Sequence, residues 1–280
     1  MLKLGWFSTA RGETSRKLLT AVQEAILASD LDASISVVFC DRDRGEDPNT
    51  DTFLELVDSY HIPLVCFSYQ RYRRERNLPS AQKGDPLPAW RSDYDSEIIR
   101  RLAGHEFQVV VLAGYMLVAS DVLCTRYDLL NLHPAAPGGP KGIWQEVIWQ
   151  LIEERAPASG VTMHLATPDL DRGPVVTYCR YSLRGQALDA LWEGLAGKSA
   201  REMREAEGEE HALFNEIRRH GVARELPLVV EAVRALAGGQ IILRQKQVLD
   251  ASGRTLEGYD LTASIERVVA ASGAKHAKNG

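Results

Sequence analysis

Residues Leu2–Ile26 read LKLGWFSTARGETSRKLLTAVQEAI. The first seven form a short apolar run closed by small polar residues, the pattern of a central strand. Leu18, Leu19, Val22 and Ile26 then fall at i, i+1, i+4 and i+8, on one face of a helix. The same rhythm repeats outward from this unit. SISVVFC (Ser34–Cys40), IPLVCF (Ile62–Phe67) and FQVVVLAG (Phe107–Gly114) are further strand-like runs, and Phe53, Leu54 and Val57 mark a second amphipathic helix. Strands alternating with helices predict an α/β fold, a Rossmann-like and mainly parallel sheet flanked by helices.

After Leu129–Leu132 comes a turn rich in Pro and Gly, then a helix around Trp144–Glu154. The runs SGVTMHLAT (Ser159–Thr167) and GPVVTYCRYSL (Gly173–Leu183) follow and read as adjacent strands joined by a tight loop. Beyond Ser182 helices dominate: Ala187–Ala196, Ala200–Arg219 ended by Gly221, and Pro227–Ala237 ended by Gly238. A short strand QIILRQ (Gln240–Gln245) and a frayed polar tail complete the expectation, which divides the chain into a core of 1–183 and a mostly helical extension of 184–280. Gln70–Trp90 carries Arg71, Arg73, Arg74 and Arg76 with Pro79, Pro86 and Pro88, a composition that resists helix and strand alike. It reads as a surface loop, either beside an anionic ligand or simply solvated.

The 280 residues, 45% hydrophobic and 25% charged, fit a globular protein large enough to bury a core without metals or disulfides. With 33 Lys plus Arg against 38 Asp plus Glu, the net charge of −5 argues against a nucleic-acid partner. Cys40, Cys66, Cys124 and Cys179 are scattered and show no CxxC pair, as expected of buried thiols in a reducing cytoplasm. Neither a signal peptide nor a membrane span is visible, so a cytoplasmic protein is expected.

The residues suited to chemistry cluster in two stretches. In LLNLHPAAPGGPKG (Leu129–Gly142) a strand delivers Asn131 and His133 two residues apart, on one face, just before a rigid proline turn. The carboxyl edge of a parallel sheet is where α/β folds hold ligands. In SGVTMHLATPDLDRGPVV (Ser159–Val176) a strand carries His164, and the loop after it carries Asp169 and Asp171. If the two strands are neighbours, Asp171 approaches the imidazole of His133 and can accept a proton. The first turn, FSTARGETS (Phe7–Ser15), opens a helix whose N–H groups could bind phosphate with the hydroxyls of Ser8, Thr9, Thr14 or Ser15 and the cation of Arg11. Capping by Thr14 or Ser15 is the equal alternative. With Gly12 its only glycine, the turn lacks GxGxxG, which argues against a dinucleotide fingerprint.

NLHP, followed at a distance by GVTMHLATPDLDRGPVV, resembles the folate-dependent formyltransferases, nearest to the branch that acts on glycinamide ribonucleotide. The resemblance covers roughly Leu2–Leu183. It implies a formyltransferase catalytic domain over 1–183, Asn131, His133 and Asp171 as the catalytic trio, and His164 as a supporting residue. It also implies 10-formyltetrahydrofolate as co-substrate and no metal. The folate pocket would be formed by Met116, Leu117 and Val118 with Thr167, Pro168 and Asp169, Leu117 standing where that branch often carries Arg. Arg11, Gly12, Thr14, Gly114 and Pro134 would meet the acceptor, a small and phosphorylated amine. Glu210 and His211 resemble an acceptor-binding pair, although aligning Pro227 moves that match elsewhere.

The implied reaction is formyl transfer to glycinamide ribonucleotide in purine biosynthesis. An amine attacks the formyl carbon, Asn131 and a protonated His133 stabilise the oxyanion, and Asp171 holds His133 and takes the amine proton. An amino-sugar nucleotide acceptor, a formyltetrahydrofolate hydrolase, and a non-catalytic folate- or nucleotide-binding protein remain the alternatives. The charge balance beyond Ser182 does not suit a tRNA-binding module, no membrane partner is expected, and both monomer and homo-oligomer stay open.

Overall fold

The computed structural model describes residues 1–80, 86–168, 172–195, 197 and 199–276. In chain order the elements are β1 (Leu2–Ser8), α1 (Glu13–Leu27), β2 (Ala33–Cys40), α2 (Pro48–Ser59), β3 (Leu64–Cys66), α3 (Tyr69–Glu75), α4 (Trp90–Leu102), β4 (Val109–Leu112), α5 (Asp121–Arg126) and β5 (Leu129–His133). There follow α6 (Trp144–Glu153), β6 (Ala158–Leu165), β7 (Val175–Ser182), α7 (Gln186–Glu193), α8 (Ala200–Ala206), α9 (Ala212–Ala237), β8 (Ile241–Arg244), β9 (Gln247–Asp250), β10 (Tyr259–Asp260) and α10 (Thr262–His276). They gather into two compact units that interleave along the chain. The first is built from Met1–Asn131, Leu165–Pro174 and Val233–Thr255, the second from Leu132–His164, Val175–Ala232 and Leu256–Gly280.

In the first unit the strands lie in the order β5-β4-β1-β2-β3, all parallel. Such strands are covered on both faces, which is why they read as unbroken apolar runs. Phe7, Val37, Phe39, Val110, Leu112 and Leu129 join Phe67, Tyr94, Ile98 and Leu102 in one core. The turns are set locally. Asp47 caps α2 by accepting from the N–H groups of Asn49 (2.9 Å) and Thr50 (3.2 Å), with Pro48 in the first helical position. Beneath α4, Arg91 and Asp95 form a fully buried ion pair at 3.0 Å, and Asp95 also accepts from the N–H of Ser120 at 2.7 Å. β8 and β9 form a hairpin whose two turn residues, Gln245 and Lys246, both have positive φ. Lys246 ties the turn down through the Tyr127 carbonyl (2.6 Å) and Asp128 (2.8 Å).

In the second unit β6 and β7 are antiparallel neighbours, as expected, and β10 adds parallel to β7. The buried face of α6 presents Trp149, whose ring lies 5.0 Å from that of Phe214 on α9. Arg224 on α9 makes a forked pair with Glu266 (2.6 and 2.9 Å) and lies over the Tyr181 ring at 4.4 Å.

Four expectations need correction. The arginine-rich stretch is not simply a loop: Ser68 accepts from the N–H of Arg71 at 2.9 Å and starts α3, and α4 begins at Trp90. Gly221 and Pro227 do not punctuate helices, because α9 runs through both. A mid-helix proline costs about 3 kcal/mol, but Leu213, Phe214, Ile217, Leu228, Val229 and Ala232 are buried along α9 and outweigh it at roughly 1.5–3 kcal/mol for each large side chain. The predicted Ala200–Arg219 helix is instead α8, a 3₁₀ turn at Gly208–Glu210 and the start of α9. The tail is helical as α10 through His276, with Leu261 and Ile265 buried at its start.

No helix among the described residues is long and apolar enough to cross a membrane. Cys40, Cys124 and Cys179 are buried and Cys66 is half-buried. Burial pushes the Cys40 thiol far above its usual range, and Cys66, Cys124 and Cys179 up to about 11.

Candidate functional site

At the carboxyl edge of the first unit, Asn131 lies opposite Leu112 in the β4–β5 register. The segment after β4 is stitched to the turn after β1. Ser8 Oγ donates to the Ala113 carbonyl (2.7 Å) and accepts from the N–H of Ala10 (3.0 Å), the N–H of Thr9 donates to the Gly114 carbonyl (3.1 Å), and the N–H of Met116 donates to Thr9 Oγ1 (2.9 Å). Gly114 has φ +70°, and a Cβ there would stand 2.5 Å from Ser15 Oγ, so this crossing requires glycine. Ala10 holds a left-handed φ of 55° in the facing turn. Beyond the crossing, Met116 is 60% exposed and Val118 is also exposed. Leu117 packs on the same core as Ala166, whose N–H donates to the Leu129 carbonyl at 2.7 Å and so brings in Thr167 and Pro168.

Beside this crossing the first unit holds a cavity of about 470 Å³ lined by Thr9 and Arg11, Asp41 and Arg42, Met116 and Leu117, and the Tyr69, Gln70, Arg73 and Arg74 face of α3. Asp41 follows the last residue of β2 and is buried, and its Oδ1 has no partner among the described residues. Burial holds its carboxyl up to about 6, against the Thr9 hydroxyl and the positive charges of Arg42 and Arg91, which pull it down. Arg42 pairs with Asp47 at 3.1 Å.

In the second unit His133 is 8% exposed, and its Nε2 lies 2.8 Å from the Pro140 carbonyl. A carbonyl can only accept, so Nε2 carries a proton and Nδ1 is the position where the ring gains or loses one. The buried His164 ring meets His133 edge to face at 6.2 Å. Pro134 starts the turn between them. Its next residues lie hard on β6: Thr162 Oγ1 donates to the Ala135 carbonyl (2.7 Å), and a Cβ at Gly160 would come within 2.9 Å of Ala136.

The anticipated residues thus divide. The first unit brings Asn131, Gly114, Met116, Leu117 and Val118 to one edge and carries Thr167 and Pro168 just after Ala166, which bonds to the start of β5, and the second brings His133, Pro134 and His164 together. Asp169 and Asp171 lie outside the described residues. Arg11 lines the cavity, whereas Gly12 occupies the cap position of α1 with no side-chain cap, and Thr14 and Ser15 sit in the first turn rather than capping it. Glu210 is exposed, and the His211 ring lies 6.3 Å from Trp149. Asp41, Arg42 and Tyr69 were not anticipated as site residues, whereas Gln70, Arg73 and Arg74 belong to the arginine-rich stretch read as lying either beside an anionic ligand or in solvent. The available signal was CDRDRG (Cys40–Gly45), charged residues set directly after an apolar parallel strand.

Among proteins of known kind, a family model described as Formyl transferase matches residues 12–182. A phosphoribosylglycinamide formyltransferase of Bacillus subtilis (strain 168) is 24% identical over 178 residues, 63% of this chain and 77% of the relative. The crystal structure of a phosphoribosylglycinamide formyltransferase from Coxiella burnetii has the same fold, with TM-score 0.63 and 19% identity over 92% of this chain and 98% of that one. A formyltetrahydrofolate deformylase from Pseudomonas syringae pv. tomato is similar at TM-score 0.56 and 18% identity, over 89% of this chain and 65% of the other.

Proposed function

The chain belongs to the formyl transferase family, and we propose that it transfers the formyl group of 10-formyltetrahydrofolate to a primary amine, with glycinamide ribonucleotide as the acceptor. The observation that carries this reading is Asn131 in the middle of β5, paired with Leu112, the last residue of β4, after which come the exposed apolar residues Met116 and Val118. An apolar shelf next to a hydrogen-bonding amide suits a flat heteroaromatic donor. Met116, Leu117 and Val118 would lie against the folate ring system, with Thr167, Pro168 and Asp169 on the loop that faces it. The bound folate supplies the activated formyl group.

The residues then have separate tasks. The Asn131 amide donates to the oxygen that becomes negative when the amine attacks. His133, fixed by the bond from Nε2 to the Pro140 carbonyl, takes up a proton at Nδ1 and adds positive charge beside that oxygen; when the adduct collapses, the bond from the formyl carbon to the folate nitrogen breaks and His133 gives its proton to that nitrogen. His164 packs against the ring and limits its rotation. Asp171 is assigned the acceptance of the amine proton, and Arg11, Gly12, Thr14, Gly114 and Pro134 the binding of the acceptor. No step needs a metal or a covalent enzyme intermediate.

The test follows tetrahydrofolate formation from 10-formyltetrahydrofolate with glycinamide ribonucleotide, with an amino-sugar nucleotide and with buffer alone. Turnover only with the ribonucleotide supports the proposal. Equal turnover in buffer would identify a hydrolase, and turnover only with the amino sugar would change the acceptor.

A further inference from the structure

Helix α3 carries three arginines and a fourth, Arg76, follows its last residue, and their partners differ. Arg71 pairs with Asp43 at 2.7 Å, and Arg76 lies over the Tyr72 ring at 4.1 Å with Glu75 at 3.7 Å. Arg73 and Arg74 have no ion pair among the described residues, and neither does Arg11, which lines the same cavity. On α3 the unmatched arginines are the ones that line the cavity, because positions 70, 73 and 74 share a helix face; Arg42, which also lines it, is matched by Asp47. Arg73 Nε is moreover shielded from solvent with no acceptor, an expensive state for a guanidinium N–H. Among the same lining residues, the partnerless Oδ1 of Asp41 is an acceptor without a donor. Unmatched cations and a buried carboxylate lining one cavity ask for a ligand that is anionic at one end and a hydrogen-bond donor at the other.

We propose that this cavity binds a phosphorylated polyol, with Arg11, Arg73 and Arg74 gripping the phosphate and Asp41 accepting a hydroxyl. The guanidinium forks match phosphate oxygens in pairs. The first turn contributes the side chains of Thr9 and Arg11, α3 contributes Arg73 and Arg74, and Asp41 follows the end of β2. The inference deepens the proposed function by naming the residues that select its acceptor, and it rests on that reading only for its place in the reaction.

Calorimetric titration of the full chain tests it with ribose 5-phosphate, ribose and inorganic phosphate as ligands. Ribose 5-phosphate should bind and ribose should not. Arg73→Ala and Arg74→Ala should each weaken ribose 5-phosphate binding about tenfold or more, and Arg71→Ala, at the matched arginine, should leave it unchanged. Asp41→Asn should weaken ribose 5-phosphate while sparing inorganic phosphate. Undetectable binding of ribose 5-phosphate, unchanged binding in Arg73→Ala and Arg74→Ala, or an equal loss in Arg71→Ala would each overturn the site. His133→Ala separates the two ideas, since it should lower formyl transfer about 10²–10⁴-fold with ribose 5-phosphate binding intact. Formyl transfer by the wild type that survives Arg73→Ala and Arg74→Ala with unchanged KM would refute the cavity and leave the proposed reaction standing.

Discussion

Asp41→Asn should change the pH dependence of folding stability, and its sign and size follow from the burial of this carboxylate. An aspartate at its ordinary 3.8 in the unfolded chain is held up to about 6 in the folded protein, because burial strips water from the charge and the Thr9 hydroxyl, Arg42 and Arg91 only partly compensate. Below pH 3.8 the group is protonated in both states and costs nothing. As pH rises through the window from 3.8 to 6 the unfolded chain ionises first, so stability is lost, and above about pH 6 the full cost applies. A difference of about 2 pKa units corresponds to about 3 kcal/mol. Asparagine does not titrate. Its own packing offset is independent of pH, so the slope is the informative quantity. Urea unfolding of both proteins at pH 4, 5, 6 and 7 should show the stability difference moving by about 3 kcal/mol in favour of the asparagine variant. A difference that stays flat across that range, or moves in favour of the wild type, refutes the account of Asp41.

Three further outcomes are expected. His133→Ala and Asn131→Ala should each lower kcat for formyl transfer by about 10²–10⁴ while the circular dichroism spectrum is unchanged, and near-normal turnover in either would remove that residue from the reaction. Gly114→Ala should cost about 1–3 kcal/mol in a thermal melt, since φ +70° and a 2.5 Å approach to Ser15 Oγ both oppose a side chain; an unchanged Tm would show that the crossing can relax. Asp95→Ala should cost about 3–5 kcal/mol by leaving Arg91 buried and unpaired, and Arg91→Met combined with Asp95→Leu should cost less than the single change. Equal losses in the two would mean that packing, rather than the charge pair, sets the effect.

The sheet was legible because its strands are short apolar runs: β1 occupies the residues expected of it, and β2 differs by one residue at its start. Elements held by tertiary contacts were not. α3 buries only Tyr72, so no periodic apolar stripe announces it, and α9 overrides Gly221 and Pro227 through the side chains it buries. The β8–β9 turn uses Gln245 and Lys246 where Asn-Gly would have been visible, and is held instead by contacts at Tyr127 and Asp128. At the candidate site, Asn131 and His133 could be picked out because two polar residues at alternate positions interrupt an apolar strand before a proline turn. Asp41 could not, and Arg73 and Arg74 stood only in a basic stretch with two open readings, because a charged residue after one strand and two arginines 32 and 33 positions later gain a joint meaning only when both line one cavity.

The state of the four thiols has a practical consequence. All are native residues with little thiolate at neutral pH, so maleimides and other alkylating reagents should find few targets on the folded chain. The unmodified sequence is therefore a ready background for attaching a single fluorophore or spin label. A cysteine introduced at an exposed position such as Gln70, on the rim of the arginine cavity, would react ahead of the others and report ligand entry optically, without first removing any natural cysteine.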